Sequence, residues 1–432
     1  MPVIKQQKND VCSDERTGQT LIPVDLALER GLSLVNTVRA TVELALETAM
    51  GRVLAEDLCT PMDLPPFDNS GMDGYAFRSC DVTEGAQSRL TLAGRIAAGD
   101  NADLIGQVGR GQAYRIFTGA AIPRGADAVI MQEHVKCVGE TITFNEPVES
   151  GQNIRRRGED APAHSLLLEQ GTILGARELG AIASIGQPRV TVRRKITVAL
   201  FCTGTELKQP GETLAPGQIY NSNRFMMIAA LNDPTIELND MGAIDDDPEK
   251  LRAALESAAK SADVIVSTGG VSVGEEDHMV AQLEAVGGRI EVMKIAMKPG
   301  KPVMAGKWGE TLSVGTIGQA LYVGLPGNPV AAFTTWKIIG AKLAAKIAGA
   351  RQSADPRPQV VVAKETTRRP GRQEYRPASI VGKSEDGHPL VELLDNTFSA
   401  KISLICRAHG FAVLPADRDT LSRGDRLDFV YL

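Results

Sequence analysis

From Lys195 to Ile347 the chain alternates between short apolar runs and amphipathic stretches, and few folds accommodate that pattern. Residues 196–201 are apolar at nearly every position, which suits a strand covered on both faces. A helical stretch at 222–231, a strand at 236–238 and a helix opened by Asp247-Pro248 follow, the last with Leu251, Ala254, Leu255 and Ala258 in one stripe. A strand at 264–267 and a helix carrying Met279, Val280, Leu283 and Val286 come next. Strands at 290–295 and 321–325 lead to a helix over 329–347 with Phe333, Trp336, Gly340, Leu343 and Ile347 on one face. Repeated βαβ units predict a mostly parallel sheet between helical layers, with any ligand beyond the carboxyl ends of the strands.

The rest of the 432 residues divides around that centre. Residues 1–20 are polar and aperiodic and read as a disordered tail. A helical period runs from Pro23 to Leu58. Apolar runs at 90–92, 113–117, 128–131 and 142–144, set between Gly, Pro and Asp clusters, predict a small β-rich module. A turn-rich, charged stretch over 150–174 precedes a short helix at 178–185. After a linker near 351–359, five runs at 360–363, 375–380, 390–394, 411–414 and 427–430 predict a small β domain. The expected parts are a tail (1–20), a discontinuous mixed helical domain (21–61 and 148–192), the β-rich module (62–147), the α/β domain (193–348) and the C-terminal β domain (349–432).

The formal charge of −6 and 4% aromatic content argue against a general nucleic-acid binder. Six scattered cysteines form no C-x-x-C pair, and the five histidines do not cluster, so a zinc site is not indicated. The start lacks a signal-peptide core, and no apolar run nears the roughly 20 residues that span a bilayer. A cytoplasmic enzyme is the expectation.

Three motifs fall at strand ends of the α/β domain: FCTGTEL with Glu206, STGGVSVGEEDH with Gly269, Gly270 and Asp277, and VGLPGNP with Gly327, Asn328 and Pro329. Glycine lets backbone approach a phosphate, and a helix N-terminus offers unpaired N–H groups. One such turn is usually structural; three at one end of a sheet favour an anion site. Among Asp245–Asp247, helix capping competes with a metal role for Asp246, for which magnesium is the suited cation. Lys294, Lys298 and Lys301 in MKIAMKPGKP fit a solvated face or an anion cradle, and Arg155, Arg156 and Arg157 pose the same choice. In PPFDNSGMDGYAF, residues 65–77, Asp68 and Asp73 either face water in a turn or are held there for chemistry.

The runs FDNSGMDGYAFR, FTGAAIPRGADAVIMQE, SGQNIRRRGED, STGGVSVGEEDH, MKPGKP and GLPGNPV occur in this order. Together they resemble the molybdopterin molybdenumtransferase family, the MoeA proteins of bacteria and the E domain of gephyrin, from about residue 22 to the C-terminus. The resemblance implies a molybdopterin-binding-type α/β domain, a C-terminal β-barrel-like domain and a homodimer whose active site is shared between subunits. It implies magnesium-assisted insertion of molybdate into the dithiolene of adenylylated molybdopterin, with release of AMP, in molybdenum cofactor biosynthesis. By the same resemblance Asp73, Asp277, Lys294 and Lys298 are catalytic, and Asp246, Asp277 and Glu206 meet the metal. Thr118, Arg155, Glu206, Gly269, Gly270, Ser272, Lys301, Pro326 and Pro329 line the substrate site, while Arg376 and Ser399 hold molybdate. A molybdopterin adenylyltransferase is the implied upstream partner. Asp73 is then held by Pro65-Pro66 and Gly71/Gly74 to serve the partner's cleft, and Asp68 caps the turn with Asn69.

Four positions depart from the family pattern: Thr205 and Asn221 where acids are common, Phe398 before Ser399, and His409 where asparagine is common. The lost acids at Thr205 and Asn221 motivate a second reading, a scaffold of the same fold that has lost turnover; a third is a nucleotide pyrophosphatase or adenylyltransferase on the same sheet, which would not need the β module with Asp73 and Thr118.

Overall fold

Residues 21–83, 85–101, 106–270, 278–299, 302–303, 307–308, 310–351, 357–394 and 400–432 are described by a computed structural model, with 290–294, 302–303, 307–308 and 310–314 described by backbone alone. The expected tail at 1–20 lies outside the described residues. The chain separates into two compact units: Met1–Ala55, Gly171–Gly175 and Val190–Leu432, and Glu56–Gln170 with Ala176–Arg189.

In the first unit six strands form one sheet in the order Ile236–Ile244, Ile196–Thr203, Val264–Thr268, Ala320–Leu325, Glu310–Ile317 and Arg289–Ile295. The first four run parallel, and the last two pair antiparallel. Strand alternation sends Val198 and Leu200 into one core cluster and Ala199 and Phe201 into another, so both faces of the sheet are covered. That is why the run had to be apolar at consecutive positions; each fully buried Val, Leu or Phe side chain contributes about 1.5–3 kcal/mol. Helices Ser222–Ala230, Pro248–Ser261 and His278–Ala285 connect the strands. The strand Glu310–Ile317 was not expected, because ETLSVGTI contains no apolar run; its neighbours on both sides recruit it.

The helix expected over 329–347 is divided: Pro329–Thr335, a π turn at Trp336–Gly340, then Ala341–Ala348. The Trp336 ring lies over Gly340 so closely that a Cβ there would sit 2.3 Å from it. The helix stops at Gly349, whose φ of 81° is left-handed.

Further along this unit Gln373–Lys383, Pro389–Leu393, Gln359–Val362, Arg426–Tyr431 and Gly410–Leu414 pair in succession. Gly410–Leu414 pairs back to Gln373–Lys383, closing a five-stranded barrel. All five expected runs are strands of it. Met297–Lys298 adds to its rim, parallel to Gln373–Glu374. Near the N-terminal end, helix Val24–Ser33 matches the helical period, but residues 41–58 do not continue it. Thr41–Ala45 is a strand, Leu46–Thr48 a 3-10 turn, and Val53 and Leu54 bridge to Ile173 and Val192. Apolar spacing over so short a stretch fits either period, and backbone partners distant in sequence decided it.

The second unit is built on a mixed sheet in the order Ala128–Met131, Gly74–Phe77, Gln112–Ile116, Ser88–Ile96, Thr141–Phe144 and Lys136–Val138. It includes all four expected runs, with Gly74–Phe77 between two of them. Helix Ala176–Ser184 belongs to this unit. Among the described residues no helix is long and apolar enough to cross a membrane.

Candidate functional site

The carboxyl ends of the four parallel strands carry the motifs read from the sequence. Thr203 leads to Glu206, Ile244 to Asp246, Thr268 to Gly269-Gly270, and Leu325 to Pro326-Gly327. The turns touch: a Cβ on Gly269 would lie 2.5 Å from the Thr203 carbonyl, and one on Gly270 would lie 2.8 Å from Thr203 Oγ1. A Cβ on Gly327 would come 3.7 Å from Gly269 Cα. With φ of 86° and 63°, Gly269 and Gly270 also adopt backbone that other residues rarely reach. Pro329 begins the helix after Asn328, its fixed φ suited to the first turn. Asn223 was missed in the sequence. Its Nδ2 donates to the Gly327 carbonyl at 2.8 Å, while its buried Oδ1 has no partner.

The three adjacent acids take different roles. Asp247 caps its helix, accepting the Glu249 and Lys250 amides at 3.0 Å each. Asp245 pairs with Lys250 Nζ at 2.5 Å. Asp246 has no such cation. Burial holds its carboxyl above the usual range; the Thr203 hydroxyl works against this, the Glu206 charge adds to it, and His278 and Asp245 act in opposite directions. A half-buried carboxylate beside a second carboxylate is a place that favours a cation. Asp277 and Ser272, expected here, lie outside the described residues, and among the described residues no three His, Cys, Asp or Glu side chains gather around one point. Two carboxylates still suit magnesium, which keeps waters and takes the rest of its shell from substrate phosphate.

Lys298 and Arg376 are brought together, although they come from different elements. Both meet Glu374: Arg376 Nε donates at 2.8 Å, and Lys298 Nζ stands 3.1 Å away. Burial pushes the Glu374 carboxyl up, but Arg376 and Lys298 outweigh it and hold the group below its ordinary range. Glu374 was missed. Its sequence signal was a charged pair two residues apart, Glu374 and Arg376, on one face of a strand where Tyr375 and Ala378 are core. Lys294 is described by backbone alone, opposite Thr311 in register. Lys301 and Ser399 lie outside the described residues, as does Phe398.

In the second unit Asp73 and Thr118 meet, a contact the sequence did not indicate. Thr118 donates its amide at 2.8 Å and its hydroxyl at 2.9 Å, both to Asp73 Oδ1. These two bonds, backbone first, keep the Asp73 carboxyl below its usual range, with Arg115 assisting. Arg115, also missed, donates Nη1 to the Gly74 carbonyl at 2.9 Å and Nη2 to Gln132, whose amide donates to the Asp73 carbonyl. It therefore braces both flanks of Asp73.

Asp68 does not cap the turn with Asn69. It accepts Arg156 Nη1 at 2.7 Å and the Arg157 amide at 2.8 Å, tying down the arginine loop, because those donors reach its carboxylate. Arg157 pairs with Asp63 at 2.5 Å. Arg155 is exposed and makes no ion pair among the described residues.

Two departures are absorbed structurally. Asn221, 1% exposed, caps helix Ser222–Ala230 by accepting the Arg224 amide, and His409 Nδ1 accepts the Ile380 amide at 3.2 Å.

Three family models match the chain: MoeA N-terminal region (domain I and II) over 22–186, probable molybdopterin binding domain over 199–346, and MoeA C-terminal region (domain IV) over 359–432. The chain is 36% identical over 407 residues to a molybdopterin molybdenumtransferase of Haemophilus influenzae, covering 94% of this chain and 97% of that one. It is 37% identical over 289 residues to that of Bacillus subtilis, covering 65% and 66%. A crystal structure of a molybdopterin biosynthesis MoeA protein from Pyrococcus horikoshii superposes with a TM-score of 0.76 at 28% identity, covering 95% of this chain and 100% of that one.

Proposed function

The chain belongs to the molybdopterin molybdenumtransferase family and acts in molybdenum cofactor biosynthesis, and from that premise we propose that it inserts molybdate into adenylylated molybdopterin with magnesium-dependent release of AMP. The observation that carries the proposal is that Asp246 and Glu206, which feel each other's charge, and the mutually packed Gly269-Gly270 and Gly327 turns all follow the carboxyl ends of the parallel strands. Close-packed backbone there suits phosphate, and the carboxylates suit the cation that accompanies it.

In this reading the glycine turns, with Pro326 and Pro329 shaping the last of them, seat the substrate's phosphates. Asp246 and Glu206 would hold magnesium, which when bound neutralises charge developing on the phosphoanhydride. Lys298 and Arg376 receive molybdate as substrate, since forked and point-charge donors together match a tetrahedral dianion. Arg155 offers a further donor to an anionic group. Water adds to the phosphoanhydride phosphorus as that bond breaks, and AMP leaves with the bonding electron pair; as the two molybdenum–sulfur bonds form, the two dithiol protons leave with one molybdate oxygen as water, with no change of oxidation state. We further propose a homodimer in which Asp73 and Thr118 of one subunit serve the cleft of its partner. The five described cysteines are free, in keeping with a reducing, cytoplasmic setting where an adenylyltransferase supplies the pterin.

The test is AMP release from adenylylated molybdopterin as molybdate and magnesium are varied. Release that needs both supports the proposal. Tight binding of the adenylylated pterin without molybdate-dependent release would instead mark a scaffold, and release indifferent to molybdate a pyrophosphatase.

Asp246→Asn is expected to abolish the magnesium dependence while slightly raising the melting temperature of metal-free protein at pH 7. The sign follows from its raised pKa: the folded state disfavours the ionised carboxylate, so stability is lost as pH climbs past the unfolded value. Asparagine removes that cost, and the difference from wild type should vanish at a pH below both values. Melting curves at two pH values check it; an unchanged or lowered neutral-pH melting point refutes the electrostatic account.

A further inference from the structure

Among the described residues the barrel rim beside Met297–Lys298 contains more positive charge than its carboxylates neutralise. Glu374 and Arg376 are each only 3% exposed, and Lys298, Arg368 and Arg376 all approach Glu374. Arg372 and Asp417 also act on Arg368, so among the described residues four cations face two anions, which leaves two positive charges. Parallel pairing sets Lys298 in register with Glu374, and strand alternation returns Arg376 to the face of Glu374. Arg376 Nε and Lys298 Nζ converge on the same oxygen, Oε1, while Arg368 Nε stands 3.5 Å from Oε2. Arg368 is otherwise committed to backbone, donating Nη1 to Pro415 at 2.6 Å and Nη2 to Arg372.

Among the described residues Arg376 Nη2 is buried with no hydrogen-bond partner, as are Arg368 Nε and Glu374 Oε2. A buried guanidinium N–H without an acceptor is costly, and it points to a ligand that supplies one. Lys298 is 28% exposed and reaches toward solvent from the same carboxylate oxygen. Two surplus positive charges, one donor waiting inside and one cation at the opening match a small tetrahedral dianion.

We propose that Glu374 is a positioning residue for the oxyanion substrate: through Oε1 it holds the Lys298 ammonium and the Arg376 guanidinium to one point, so that both address the same dianion. The inference rests on the transferase reading above. Without the carboxylate, the two cations repel each other and the lysine turns out to solvent. Glu374 also lowers the surplus from three to two positive charges, the number a dianion neutralises.

The experiment compares wild type, Glu374→Asp and Glu374→Gln in the full-length protein. AMP release is followed against molybdate at saturating adenylylated molybdopterin, then against the pterin at saturating molybdate. Molybdate binding to pterin-free protein is measured by calorimetry. The molybdate KM should rise about tenfold in Glu374→Gln, which loses a charge-assisted pair, and less in Glu374→Asp. The pterin KM should stay within about twofold, since that ligand lies on other residues. Calorimetric affinity for molybdate should fall in parallel. An unchanged molybdate KM, or both KM values rising together with a lowered melting point, overturns the proposal. Should Glu374→Gln not fold, the Glu374→Asp comparison with wild type decides by the same split. Wild type that releases no AMP would strike the transferase reading instead, and the calorimetric comparison would still judge Glu374.

Discussion

Asp73→Asn protein is expected to lose about 10²–10³-fold in kcat with only a slight fall in melting temperature. Asparagine retains an Oδ1 acceptor, so the Thr118 amide and hydroxyl keep their bonds at 2.8 and 2.9 Å and the loop stays in place. What disappears is the charge. The Thr118 donors hold Asp73 ionised well into the acid range, so the native site presents a carboxylate under every assay condition near neutrality. Thr118→Val should cost less, because the backbone amide still positions the carboxylate. Steady-state AMP release measures both, and Asp73→Asn activity within about threefold of wild type removes Asp73 from the mechanism. Co-expression of Asp73→Asn with Asp246→Ala then addresses the proposed dimer. Mixed dimers sharing sites across subunits regain one intact site, whereas sites complete within a subunit regain none.

The second large effect concerns the neighbouring residue and stability. Gly74→Ala is expected to destabilise the second unit by about 1–3 kcal/mol, at the upper end of that range. Gly74 opens the strand Gly74–Phe77, which pairs on both sides, with Ile116 and with Met131 opposite it. A Cβ there would lie 2.0 Å from the Ile130 carbonyl oxygen. That atom is backbone inside a sheet and cannot swing away. Gly94→Ala provides the comparison, since its Cβ would meet the Tyr114 ring at 2.9 Å, and a side chain can yield. Denaturant titration of the two variants should separate them clearly; equal midpoints would show that the sheet accommodates the methyl group. The pair of neighbours thus divides the labour of the GMDGYAF motif: Gly74 permits the strand to pack, and Asp73 carries the charge that the strand presents.

Much of this arrangement was readable beforehand, for reasons that differ by element. Residues 196–201 and 264–267 announced buried strands because both their faces are covered, which demands consecutive apolar residues. The five barrel strands announced themselves through regular spacing and turn residues. Thr41–Ala45 and Glu310–Ile317 did not, because their pairing is set by partners elsewhere in the chain rather than by their own periodicity. Among the candidate site residues, Asp73 and Thr118 were each singled out but their mutual contact was not, and Asp68 was misread because its arginine partners lie 88 and 89 residues away.

By itself the amino-acid sequence determined the chemistry on offer: which turns carry glycine, which strand ends carry acids, and which loops carry lysine and arginine. These are local properties of residue type and spacing, and they were enough to place the chain in its family. Tertiary structure alone decided that Asp246 is the half-buried one of three consecutive aspartates, that of three arginines Arg155 makes no ion pair among the described residues, and that Glu374 gathers Lys298 with Arg376. Each of those outcomes depends on which groups from elsewhere in the fold come close: Thr203 and Glu206 to Asp246, Asp68 and Asp63 to two of the arginines, and Lys298 to Glu374. Coulomb and hydrogen-bond energies at such distances are set by the fold's pairing register, which no single stretch of the chain contains.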